Sequence, residues 1–580
     1  MSELTLESAR GATPDSRSLD GLAIALAVLA CAAFLAARGI LPAWSLPWCA
    51  GLSLFATSAL PLLARCTPGP ADPLKLAAFT LALSPVLAAC VWGAWHLVLE
   101  SEDALAATAA TCALMHGFTL RRRVKRVPPT RARAAVVLMS ALLATGAGLL
   151  LLRGNEPRLA EPAIVRASVA LAIDRSLPPV HPWLAGEPWN HAWSADLLAA
   201  FTSRALGVAP TLAHALFAVL ASLLLPVMLF FLASAWWIDA RRSATTVVLT
   251  LGAGLLPLSA GEPVVALAPF LSPGPTALAT AFALAGLACA THALRHGKQP
   301  WILLCALFHG FALCLDFSSA WPAALATALA CLTPYCDANA RPRLLLALLV
   351  ASLPGSWQQR VLGPSDLHGI SGASVAVHAA MSAWIVIGLV GALTAWHGVA
   401  RERRAVIVLA LCTAVVALAG MRFAPQSTNL CSAASLALFS LALPASVTLE
   451  FKAPRPSSRA WIFRAACFAL AALGLRELAR DGAPRWEAAR RQHALLGETR
   501  GALEPVSAEV SAVDLRAALA ALRADPRLRE DRAVLLACPI NNPYRKTVDL
   551  PPTALAACAG LPLYGDHRSS AALAEPEYQP

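Results

Sequence analysis

Charge is what this chain has least of: Asp, Glu, Lys and Arg make up only 14% of its 580 residues. A soluble protein of this size carries about 25%. That shortfall excludes a disordered chain, a collagen, a coiled coil and an ordinary cytosolic enzyme. No stretch alternates polar and apolar residues over the ~10-residue strands of a membrane β-barrel, which removes that class too. There is no CxxC and no mixed Cys/His spacing of a zinc site. Also missing are a P-loop, a GxSxG, an HExxH and a dinucleotide-binding glycine fingerprint. Nucleotide hydrolysis and soluble-type hydrolase chemistry therefore have no motif behind them.

What is present is apolar sequence in long runs. Hydrophobic residues make up 58% of the chain, and the mean hydropathy is +0.62. Runs of ~17–25 apolar residues cross a bilayer as helices, which satisfy their own backbone hydrogen bonds. Reading the runs between charged breaks gives about fifteen segments: 21–37, 46–64, 76–99, 104–120, 134–152, 211–235, 244–260, 276–294, 300–315, 320–336, 343–354, 375–397, 405–421, 430–449 and 460–475. The segment 343–354 is barely half of a normal span. The expected fold class is an all-α polytopic membrane protein of about 15 transmembrane helices with a small extracytoplasmic α/β C-terminal domain. Its parts are a cytoplasmic tail (1–20), four membrane helices (21–133), a membrane core (134–475) with a long outer loop at 153–210, and the C-terminal domain (476–580). Thirteen of the fifteen cysteines lie in or beside the apolar runs, where Cys is a small buried hydrophobe. Cys538 and Cys558 fall in the polar tail and could pair if it lies in an oxidising compartment.

The net charge of +12 does not point to nucleic acid, because residues 476–580 hold 14 basic and 14 acidic groups and the excess sits in the membrane part. Alternate connections carry it. With the N-terminal tail they hold 23 Lys and Arg against eight on the other side, and seven of them lie within 121–133. The positive-inside rule then places the N-terminus in the cytoplasm and everything after residue 475 outside. The first run follows a twenty-residue polar leader, so an uncleaved first helix is expected rather than a signal peptide.

The outer loop 153–210 is the longest connection, and loops of that length in compact proteins are commonly functional. Residues 161–175 can form an amphipathic helix with Ile164, Ala167, Leu171 and Ala172 on one face, suited to the membrane surface. A Pro/Trp-rich stretch follows from Pro178 to Trp193. In the tail, 513–524 reads as a helix and 533–537 as a buried strand.

Polar groups on the outer side are the candidates for chemistry. The long loop supplies Glu156, Glu161, Arg166, Asp174, Arg175, His181, Glu187, His191 and Asp196, and other outer connections add Glu262, Asp316, Arg360, Asp366, His368, Arg422 and Gln426. A carboxylate there can act as general base on a hydroxyl, and arginines can grip a phosphate through paired hydrogen bonds. Asp174 could instead pair with Arg175, Asp316 could cap the next helix with Ser318 and Ser319, and His181 and His191 could pack beside tryptophan. His214, His309 and His378 lie within spans and read as packing residues.

The stretch Pro178-Pro179-Val180-His181-Pro182-Trp183-Leu184-Ala185-Gly186-Glu187-Pro188-Trp189-Asn190-His191-Ala192-Trp193 resembles the first large outer loop of GT-C-type membrane glycosyltransferases. Phe270-Leu271-Ser272-Pro273, leading into an Ala/Leu helix, and the tail from Asp514 to Gly560-Leu561-Pro562-Leu563-Tyr564-Gly565-Asp566 are similar to later parts of such chains, so the resemblance covers about 134–580. It implies a reaction in which a sugar leaves a polyprenyl-phosphate-linked donor for an acceptor outside the cytoplasm, on a bacterial inner membrane. It also implies an acidic catalytic residue soon after the first core helix, a place that falls on Glu161; Glu stands there for the usual Asp, and Val165 for a following His. In this reading Arg360, His368 and Arg422 contact the donor phosphate, and Asp174, His181, His191 and Asp316 line the substrate site. No cofactor can be named from the sequence, and a divalent metal could replace one of the cations. Two other classes remain open: a transporter or flippase of lipid-linked saccharides, and a catalytically silent membrane scaffold.

Overall fold

The computed structural model describes residues 54–66, 73–117, 130–152, 161–179, 193–206, 210–236, 240–254, 267–271, 274–361, 385–393, 396, 401–422 and 427–449. Within these the chain is helical, with no strand. The helices are α1 (Leu60–Cys66), α2 (Pro73–His96), α3 (Ser101–Gly117), α4 (Arg131–Leu152), α5 (Glu161–Arg175), α6 (Ser194–Leu206), α7 (Pro210–Trp236) and α8 (Ala240–Gly254). After a 3-10 turn at Ala268–Leu271 come α9 (Thr276–His296), α10 (Gln299–Leu315), α11 (Phe317–Leu332), α12 (Ala340–Val361), α13 (Arg401–Arg422) and α14 (Ser427–Leu449). The expected spans at 21–37 and 460–475 and the α/β domain at 476–580 lie outside the described residues.

Four helical stretches are long and apolar enough to cross a membrane: Leu74–His96, Ala213–Ala235, Thr276–His296 and Arg404–Met421. This is a helical membrane protein. Helix α9 is its axis. It is apolar all round, 94% of its apolar window is buried, and α7, α10, α11 and α13 pack against it. A helix with no polar face belongs in an interior. Outer helices instead have two apolar faces. On α12, Leu344 and Leu348 turn inward, while Leu346, Leu349, Val350 and Leu353 stand exposed at i, i+3, i+4 and i+7. A contiguous apolar stripe of this kind is costly in water and suits hydrocarbon.

Helix ends follow the local sequence. Helix α9 stops at Gly297, whose left-handed backbone (φ 58°) glycine adopts without a Cβ penalty, and whose N–H returns to the Ala293 carbonyl. The segment expected as a short 343–354 run is a 22-residue helix, α12, that continues through Pro354 to Val361. Within a membrane bundle a proline does not end a helix, because neighbours re-satisfy the freed backbone groups. Helix α6 was not expected at all; its apolar residues Ala195, Leu198, Ala199 and Ala205 are buried. Helix α5 is where the amphipathic pattern puts it, but Ala167, Val169, Ala170, Leu171 and Ile173 are covered by protein, with α6 and α7 packed alongside. Its apolar face is therefore engaged within the fold rather than reserved for the bilayer surface.

Candidate functional site

Antiparallel hairpins bring polar residues to one end of the bundle. Helix α9 leaves that end at Thr276 and α10 returns to it at Leu315, so Thr276 meets Asp316 although 40 residues separate them. The Thr276 hydroxyl donates to Asp316 Oδ2 at 2.7 Å, Ser319 donates to the same oxygen at 2.7 Å, and Ser318 donates to Oδ1 at 2.6 Å. Asp316 sits at the N-cap of α11, where its carbonyl accepts the Ala320 N–H, but its carboxylate makes no capping bond. Asp316 therefore stands at the N-cap position but does not cap α11 through its side chain, because its carboxylate is taken up by the hydroxyls. One turn further along α9, Thr280 shares a 2.7 Å hydrogen bond with Ser432 of α14.

A second group lies on α5, α6 and α7. Asp196, in the first turn of α6, faces Arg166 of α5 at 3.7 Å and His214 of α7 at 3.5 Å. Asp196 and His214 are both 2% exposed. The Phe217 and His214 rings meet in a T-shaped arrangement at 5.5 Å between centroids. The His214 carbonyl accepts the N–H of Gly274, two residues before Thr276. Asp196 and Asp316 are therefore linked through three short steps of the chain at the same end.

The third group joins α5 and α6 to the α2–α3 hairpin. Ser101 donates to Asp174 Oδ1 at 2.6 Å, and Arg204 of α6 donates to Ser101 at 3.1 Å. Arg204 also pairs with Asp174 at 3.4 Å and with the exposed Glu102 at 3.5 Å. His96 at the end of α2 places Nε2 2.9 Å from the Ile173 carbonyl. Asp174 thus has partners 30 and 73 positions away in the chain. These contacts tie α2 and α3 to α5 and α6.

Of the residues chosen from sequence, Glu161 opens α5, Arg360 lies in the last turn of α12, and Arg422 closes α13. Asp174 and Asp316 belong to two separate clusters. His181, His191 and His368 lie outside the described residues. Asp196, Arg166 and His214 form the group that sequence reasoning did not assemble. The signal was partial: Asp196 stood among the outer-loop acids, but nothing in the sequence joins it to a histidine at the start of the next span. Among the described residues, no three His, Cys, Asp or Glu come together as metal ligands, so the possible divalent metal gains no support there.

No family model, curated protein or solved structure matches the chain.

Proposed function

We propose that this protein is a GT-C-like glycosyltransferase of a bacterial inner membrane, with about fifteen spans and a C-terminal domain outside the cytoplasm. It transfers a sugar from a polyprenyl-phosphate donor to an acceptor hydroxyl. The observation that carries the proposal is the gathering of two acids, the buried Asp196 and the half-buried Asp316, with His214 and Arg166 at one end of a largely apolar bundle. Polar groups are expensive at membrane depth and mark sites of function. A lipid-borne sugar reaches such a site from the bilayer without leaving its anchor.

In this scheme Glu161 takes the proton of the acceptor hydroxyl. The acceptor oxygen forms its bond to the anomeric carbon, and the bond from that carbon to the phosphate oxygen breaks, leaving polyprenyl phosphate. Glu161 stands at the start of α5, where the helix dipole favours a carboxylate. Arg360 and Arg422, at the ends of α12 and α13, hold the leaving phosphate. Asp174 is assigned to holding the loop helices, because Ser101 and Arg204 occupy it.

Membranes supplied with radiolabelled polyprenyl-phosphate sugars test the scheme. Glu161→Gln should lower transfer by about 10²–10⁴-fold, the usual contribution of a general base. Equal transfer by wild type and variant excludes Glu161. Labelling intact cells with an impermeant thiol reagent at a cysteine placed at Glu187 tests the topology; reaction only after lysis would overturn it.

A further inference from the structure

Buried polar atoms in folded proteins are almost always hydrogen-bonded, and each exception calls for a cause. Among the described residues nine buried side-chain atoms have no such partner, and three of the nine are Asp196 Oδ1, His214 Nδ1 and His214 Nε2. The other six stand on six separate residues with no contact shown between any two of them, whereas Asp196 Oδ1 and His214 Nε2 face each other across 3.5 Å. That gap exceeds the ~2.7–3.2 Å of a good N–H···O bond. It is also short enough for one oxygen atom, lying off the line between them, to reach both. Arg166 Nη1, 3.7 Å from the same carboxylate oxygen, supplies a further donor.

We infer that Asp196 and His214 bind a hydroxyl group of a sugar-bearing amphiphile, with Arg166 as the third polar wall. The chemistry of the walls selects the ligand. Asp196 accepts hydrogen bonds only, Arg166 donates only, and imidazole offers a nitrogen of either kind. A hydroxyl answers all of them, since it donates to the carboxylate and accepts from the imidazole or guanidinium. A phosphate carries negative charge and is repelled by the Asp196 carboxylate. An ammonium has no acceptor for Arg166 and is repelled by that side. The inference names a sugar-binding contact within the end of the bundle already proposed as the transfer site, and it rests on that reading for the sugar, but its test requires no turnover.

The test uses the full-length protein in amphipol, free of glycoside detergent. A hydrophobic carbodiimide modifies buried carboxyl groups at mildly acidic pH, and peptide mass spectrometry reads the extent at Asp196 against the exposed Asp103. Octyl β-D-glucoside should slow modification of Asp196 several-fold and leave Asp103 unchanged. Octyl phosphate and octylammonium at equal concentration should protect neither. In His214→Leu, Asp196 should still be modified, and glucoside protection should be lost. Absence of modification of Asp196 in wild type would mean a closed structural contact and would sink the inference. So would protection by octyl phosphate as strong as by the glucoside, or modification that no additive slows. Protection without sugar transfer in membranes would remove the proposed reaction and keep the site; transfer without protection would do the reverse.

Discussion

Arg204 Nε lies 3.4 Å from Asp174 Oδ1, and eight residues earlier on both helices Arg166 faces Asp196 at 3.7 Å. The equal spacing means that α5 and α6 run side by side in the same direction, clasped at points about 12 Å apart along the axis. The two ion pairs have opposite polarity, so sliding one helix along the other by eight residues, about two turns, would set like charges together.

The Asp174 end of the clasp is half-buried and bonded to Ser101, while Glu102 on its rim is 80% exposed. Exposed pairs contribute about 0–1 kcal/mol, so Glu102→Gln should leave stability nearly unchanged. Asp174→Asn and Arg204→Met should each destabilise, and the double variant should fall short of their sum by about 0.5–3 kcal/mol, as for residues in one network. Denaturant unfolding in detergent checks this, and simple additivity would show that the pair is not coupled.

Asp316 makes a different kind of join. Its two oxygens take three hydroxyls from α9 and from the start of α11. Asp316→Ala removes the acceptor of Thr276, Ser318 and Ser319, of which Ser319 is buried, and losing the acceptor of a buried group costs about 1–3 kcal/mol. Asp316→Asn keeps one acceptor oxygen and should lose less. Thr276→Val removes a single bond and should lose about 1 kcal/mol. Thermal unfolding should rank the three in that order, and equal losses would mean that the hydroxyls find other acceptors.

Apolar run length was enough to locate α2, α7, α9, α10 and α13, because the bilayer fixes how much unbroken hydrophobic sequence a helix needs. The same criterion cut α12 short at Pro354, since the polar residues after it continue the helix past the apolar layer. Helix α6 escaped for the opposite reason. It is 13 residues long, and Asp196, Thr202, Ser203 and Arg204 interrupt its apolar pattern. Asp196 is buried by partners 30 positions before it and 18 after it, and no local pattern encodes such pairings. His214 looked like a packing residue for the same reason. Its carboxylate partner belongs to another helix.

Helices α10 and α12 meet backbone to backbone. A β-carbon on Gly310 would lie 2.9 Å from the Ala351 carbonyl oxygen, and one on Gly355 would lie 3.0 Å from the backbone of Leu313. Without a hydrophobic drive between helices in lipid, such close contact supplies much of the attraction. Gly310→Ala and Gly355→Ala should each cost about 1–3 kcal/mol, the usual range for overpacking. Because either change forces the same two helices apart, the double variant should lose less than the sum. A strictly additive double variant would mean that the two glycines act at independent contacts.

Gly286 on α9 makes room for a side chain rather than a backbone. A β-carbon there would fall 2.8 Å from two atoms of the His309 ring. The ring is fully buried, and its Nε2 lies 3.1 Å from the Thr327 hydroxyl. That hydroxyl donates to the Ala323 carbonyl at 2.9 Å, so Nε2–H is the donor and the imidazole spans α10 and α11. Gly286→Ala should push the ring off Thr327 and lower stability by about 1–3 kcal/mol through overpacking. If the ring is the obstacle, His309→Ala should relieve much of the penalty, since the smaller side chain vacates the space. A double-mutant cycle measures this directly: a coupling of about 0.5–3 kcal/mol is expected for residues in contact. A coupling near zero would mean that Gly286 is required for some reason other than the imidazole it faces.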